Sequence, residues 1–106
     1  MKVLFDQGVP APLRRALDGH TVDTAYERGW STLQNGELLA VAESAHFEVF
    51  VTTDGNLKYQ QNLDARTIAV VVLSTTSWPR IQRSLAQVIV AVSNASQGGY
   101  FEVRIE

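Results

Sequence analysis

Three short runs of this chain are apolar with no alternation: Val3-Leu4-Phe5, the mostly apolar stretch 48–53, and residues 67–73 (Thr-Ile-Ala-Val-Val-Val-Leu). A strand with one wet face alternates apolar and polar residues, so a strand apolar throughout has both faces covered. Between these runs lie segments whose apolar residues recur at helical spacing. Val9, Leu13, Ala16 and Leu17 make the first, entered at Pro10 and stopped by Asp18-Gly19. Leu38, Leu39, Ala42 and Ala45 make the second, with Asn35 as its expected N-cap. Ile81, Leu85, Val88, Ile89 and Val92 make the third and longest, opened by Pro79 and ended by Gly98-Gly99. Residues 20–25 read as a weaker, β-branched strand, and 56–64 as a short helix or loop. Phe101, Val103 and Ile105 alternate with Glu102 and Arg104, as on a half-exposed edge strand.

The resulting order, β-α-β-α-β-(short)-β-α-β, predicts an α/β fold. Its sheet is mostly parallel, with about five strands and helices on both faces. At 106 residues the chain has the size of one domain, taken as 1–106.

Nine basic against eleven acidic residues give a net charge of −2. That excludes a polybasic nucleic-acid binder held by counterion release, yet leaves room for an enzyme that meets nucleic acid at a small local site. The absence of cysteine excludes disulfides, thiolate zinc sites and thiol nucleophiles. The opening Met-Lys-Val-Leu-Phe-Asp-Gln-Gly lacks the apolar stretch of a signal peptide, and no run is long enough to span a membrane. The expectation is a soluble, cytoplasmic protein with no membrane partner.

In parallel α/β sheets, ligands sit outside the carboxyl ends of the strands. The first run ends at Asp6 and the third element's run at Asp54. If those two strands are neighbours, two carboxylates converge and repel, which a divalent cation between them relieves. Mg²⁺ and Mn²⁺ favour carboxylate and water ligands, and a bound water can hydrolyse a phosphodiester. Glu37, in the first turn of the second helix, is a candidate third acid. Asn35 and Asn56 can add amide oxygens. Each acid also has a plain structural reading. Asp6 can cap the first helix, Glu37 can answer the helix dipole, and Asp54-Gly55 can turn a hairpin.

Val-Leu-Phe-Asp-Gln-Gly-Val-Pro (3–10), Asn-Gly-Glu-Leu-Leu-Ala-Val-Ala-Glu (35–43) and Val-Phe-Val-Thr-Thr-Asp-Gly-Asn-Leu (49–57) together resemble the bacterial PIN-like family of small proteins. In that family a first strand ends in Asp, a helix opens with an acid before two large aliphatics, and a later strand ends in T-x-D. The resemblance covers about the first 75 residues. It implies a three-layer α/β/α sandwich and a Mg²⁺- or Mn²⁺-dependent endoribonuclease. It also implies RNA as substrate, and a toxin restrained by a small antitoxin protein. Asp6 and Asp54 would be catalytic metal ligands, Glu37 would hold the metal or the attacking water, and Asn35 and Asn56 would be outer ligands. Relatives often carry Asp at Asn35 and at Asn56, and Glu at Gln7. Those departures raise a catalytically silent interaction module as the alternative. A phosphoacceptor receiver domain also fits Asp54 and Ser74, but it lacks an acidic pair at Asp6-Gln7 and a lysine after the fourth strand. Trp30 and Trp78 are candidates either for contacts in a homodimer or for core packing.

Overall fold

The computed structural model describes residues 1–57, 63–95 and 98–106. Five strands, β1 (Lys2–Phe5), β2 (Thr21–Thr24), β3 (Val49–Thr52), β4 (Ala69–Leu73) and β5 (Tyr100–Val103), form one sheet in the order β2-β1-β3-β4-β5. Every pairing is parallel. Helix α1 (Asn35–Ser44) follows β2; α2 (Trp78–Gln82) and α3 (Leu85–Ser93) lie between β4 and β5. Two 3₁₀ turns, Ala11–Ala16 and Leu63–Ala65, complete the described elements. The reading of 56–64 falls largely on residues 58–62, outside the described residues.

Alternate residues of the central strands build two separate cores. Val3, Phe5, Val49, Val51, Val71 and Leu73 pack with Leu13, Ile81, Val88 and Val92 on one face. Leu4, Phe50, Val70 and Val72 pack with Leu38, Leu39 and Ala42 of α1 on the other. This is a three-layer α/β/α sandwich, and it explains why the strand runs carry no polar alternation. Trp30 and Trp78 are both half-buried against these cores. Trp30 also meets the Phe47 ring edge-on, with ring centres 6.1 Å apart.

Three local expectations shift. The first helical segment is a 3₁₀ helix of six residues, with Pro10 before it and Pro12 inside it. Gln34, not Asn35, holds the N-cap position of α1, and Asn35 is its first residue. The long helix after Pro79 is two helices, because Ser84 leaves the helical region at φ −120°, ψ 24°. Ile81, Val88 and Val92 still reach one core across the break, so the apolar spacing does not betray it. Among the described residues no helix is long and apolar enough to cross a membrane.

Candidate functional site

From β1 the chain passes to β2 on one side and then to β3 on the other. The carboxyl ends of β1 and β3 therefore flank the point where the strand order reverses, which is where ligands bind in open α/β sheets. Asp6 leaves β1 and Asp54 leaves β3 at that point. Residue 54 does not turn a hairpin, since β3 runs parallel to β4.

Register then brings the two aspartates onto one side chain. Phe5 lies opposite Val51, and the Asp6 amide donates to the Val51 carbonyl at 2.9 Å. Asp6 is thus level with Thr52, a fully buried polar residue among otherwise apolar neighbours. The Thr52 hydroxyl donates to Asp6 Oδ2 at 2.8 Å and accepts from the Asp54 amide at 3.1 Å. One hydroxyl orients the first carboxylate and anchors the backbone that carries the second.

Each carboxylate has a further set of donors. Asp6 Oδ1 accepts from the Gln7 amide at 2.8 Å. Asp54 Oδ2 accepts from the Asn35 side-chain amide at 2.8 Å, and Oδ1 from the Asn56 backbone amide at 3.0 Å. Asp6, Asp54 and Asn35 are therefore gathered at one rim, and Asn56 adjoins them through its backbone. Glu37 is exposed in the first turn of α1. It follows Asn35 by two residues, about 200° round the helix axis, so a turn that aims Asn35 at Asp54 carries Glu37 away from it. Among the described residues, no group of three or more His, Asp or Glu side chains is set to hold a metal ion.

Comparison with protein-family models, curated proteins and solved structures found no match. A carboxylate offers about four lone-pair positions, and the chain's own donors take one on each oxygen. Two carboxylates with an adjacent amide make an oxygen donor set that fits a hard cation. Mg²⁺ in particular is commonly held by one or two carboxylates together with substrate phosphates.

Ser74 and several other polar residues have structural roles. The Ser74 hydroxyl is tied to the backbone of Ile105, and Ser77 caps α2 by accepting from the Arg80 amide. His46 takes the left-handed position after α1, at φ 66°. His20 lies 3.3 Å from the Ser93 hydroxyl. Arg14 pairs with Glu27, Arg28 with Asp23, and Arg66 with Glu43.

Three features of the rim were not legible as functional in the sequence. Thr52 is the first, though its place in T-x-D hints at it. Gly8 is the second: a Cβ there would collide with the Thr53 hydroxyl, so the loop after β1 closes onto β3 only with glycine. The third is Tyr26. It is 78% exposed, and it lines a cleft of about 540 Å³ together with Asp6, Gln7, Pro10, Thr24 and Thr76.

Proposed function

We propose that this chain is a PIN-like endoribonuclease dependent on Mg²⁺ or Mn²⁺, the cytoplasmic toxin of a toxin–antitoxin pair. The observation that carries the reading is the meeting of Asp6 and Asp54 on the buried Thr52 hydroxyl, at the switch point of a parallel sheet. The resemblance of the three sequence blocks supplies RNA as substrate and the small antitoxin as partner.

A bound divalent cation neutralises charge on a phosphodiester and acidifies a water molecule for attack at phosphorus. Asp6 and Asp54 would hold that cation through their carboxylate oxygens. Asn35 presents an amide to the same place; turning it over would offer its oxygen instead of its nitrogen. Asn56 stands as a further outer donor. Glu37, exposed and turned away from Asp54, falls outside that donor set. Thr52 would hold the Asp6 carboxylate and the Asp54 backbone in place when substrate arrives.

Asp6→Asn and Asp54→Asn should each abolish Mn²⁺-dependent RNA cleavage while leaving the thermal unfolding midpoint close to that of the parent chain. Undiminished cleavage in both variants would overturn the assignment. The absence of a three-acid cluster among the described residues favours one second reading, a catalytically silent interaction module of the same fold. Calorimetric titration separates the two, since no heat of Mn²⁺ binding at millimolar metal supports the silent module.

A further inference from the structure

We propose that the cleft between Asp6 and Tyr26 is a subsite for one unpaired nucleobase, stacked on the Tyr26 ring. The inference rests on the nuclease reading for the position of the reacting phosphate. It adds where the neighbouring base goes and what strand state the site accepts.

Among the described residues the exposed large hydrophobic side chains are Tyr26, at 78%, and Val90, at 57%. Among the described residues the Tyr26 side chain makes no hydrogen bond or ring contact. An aromatic ring left in water on a loose loop would be unremarkable, but the backbone under Tyr26 is tightly held. Thr24 and Glu27 form a reciprocal capping pair. The Glu27 amide donates to the Thr24 hydroxyl at 3.0 Å, and the Glu27 carboxylate accepts from the Thr24 amide at 3.0 Å. Arg14 pairs with the same carboxylate. Together Arg14 and the Thr24 backbone hold the Glu27 carboxyl down at about 2, so the clamp is charged at any physiological pH.

The turn closes further through Arg28 N–H to the Thr24 carbonyl at 3.1 Å and Trp30 N–H to the Ala25 carbonyl at 2.8 Å. Ala25 itself is buried and donates to the Phe5 carbonyl at 2.9 Å, one residue before Asp6. The backbone under the ring is thus firmly held and keyed to the strand that carries the candidate catalytic acid. A ligand that lands there has to order the Tyr26 side chain but not the backbone beneath it.

The cleft has room for a base. Its volume of about 540 Å³ lies inside the range of small-ligand sites. Val9, Pro10 and Ala11 line it with apolar groups, Thr24 and Thr76 with hydroxyls, and Asp6 with a carboxylate. A base on Tyr26 therefore lies in the same cleft as Asp6. A base in a duplex is stacked on its neighbours and cannot enter such a cleft without leaving the helix. The geometry selects single strands for that reason. Stacking is tolerant of base identity, because every base has a π-face.

The test is binding, measured by fluorescence anisotropy of a labelled oligouridylate carrying a cleavage-resistant phosphorothioate backbone. A blunt RNA duplex of equal length is the control. The parent chain should prefer the single strand. Tyr26→Ala should weaken that binding roughly tenfold, with Tyr26→Phe and Tyr26→Trp restoring it and Tyr26→Leu not. The exposed ring contributes little to folding, so all variants should unfold at the same midpoint. Unchanged binding in Tyr26→Ala, full rescue by leucine, equal affinity for duplex, or no binding by the parent chain would each overturn the subsite. Loss of an antitoxin contact alone, with RNA binding intact, would also overturn it. If Tyr26-dependent binding persists while native RNA is never cleaved, the nuclease reading fails and the subsite stands. If Asp6→Asn stops cleavage and Tyr26→Ala leaves KM unchanged, the reverse holds.

Discussion

Thr52 concentrates the chemistry of the rim in one side chain. Its hydroxyl is buried completely, donating to one aspartate and accepting from the backbone of the other. Thr52→Val keeps the shape but removes both bonds, stranding a part-buried amide and an oriented carboxylate. The expected loss of folding stability is about 1–3 kcal/mol by urea denaturation. Thr52→Ser, which keeps the hydroxyl, should lose less than half as much. Mn²⁺ affinity should fall in the valine variant and hold in the serine variant. The sequence shows a threonine ending an apolar strand, which reads equally well as ordinary β-propensity. Only the register of β1 against β3 gives that hydroxyl two partners.

Among the elements, the loop after β1 is the tightest fit. Gly8 approaches Thr53 so closely that any Cβ meets the threonine hydroxyl. Gly8→Ala should cost about 1–3 kcal/mol through overpacking and weaken Mn²⁺ binding by displacing Asp6. Adding Thr53→Ala should recover much of both losses, a coupling that denaturation and calorimetry of the double-mutant cycle would measure. Helix α1 explains why one sequence expectation at this rim holds and another moves. Placing a helix after β2 brings its first turn to the carboxyl rim, as the alternation of elements implied. Which residue of that turn faces Asp54 depends on where the helix starts. A start at Asn35, one residue earlier than the capping pattern suggested, gives the contact to Asn35 and leaves Glu37 exposed. The break at Ser84 escaped detection because both helices bury the same apolar stripe.

Taken whole, the molecule divides its labour between the two ends of the sheet. The carboxyl rim carries Asp6 and Asp54, linked through Thr52. The opposite rim carries a clamp built on Glu43 at the end of α1. Its carboxylate pairs with Arg66 at 2.7 Å and accepts from the Thr67 amide at 2.6 Å and the Thr67 hydroxyl at 3.0 Å, where the chain enters β4. Burial pushes the Glu43 carboxyl up, but the bonds from Arg66 and Thr67 outweigh it and hold it below its ordinary value of 4.5. A carboxyl depressed in the folded state stabilises the fold at pH above its unfolded value. That contribution is lost as pH falls through the folded value. Glu43→Gln should therefore lower stability by about 1–2 kcal/mol at neutral pH. The gap between variant and parent should close below pH 4.5. Among the described residues, Glu43, Arg66 and Thr67 make no hydrogen bond to either aspartate, so Mn²⁺ affinity should change little at neutral pH.

The sequence alone determined the α/β class, the parallel sheet and the candidate acids at the strand ends. Strands apolar on both faces can be satisfied only between two helical layers, and a strand covered that way must shed its polar residues at its ends. Which of those residues meet was settled by tertiary structure. Convergence of Asp6 with Asp54 needs β1 beside β3 in one particular register, and the exclusion of Glu37 from the pair needs one particular helix start. Both depend on packing between segments far apart in the chain, and no local pattern of residues records it.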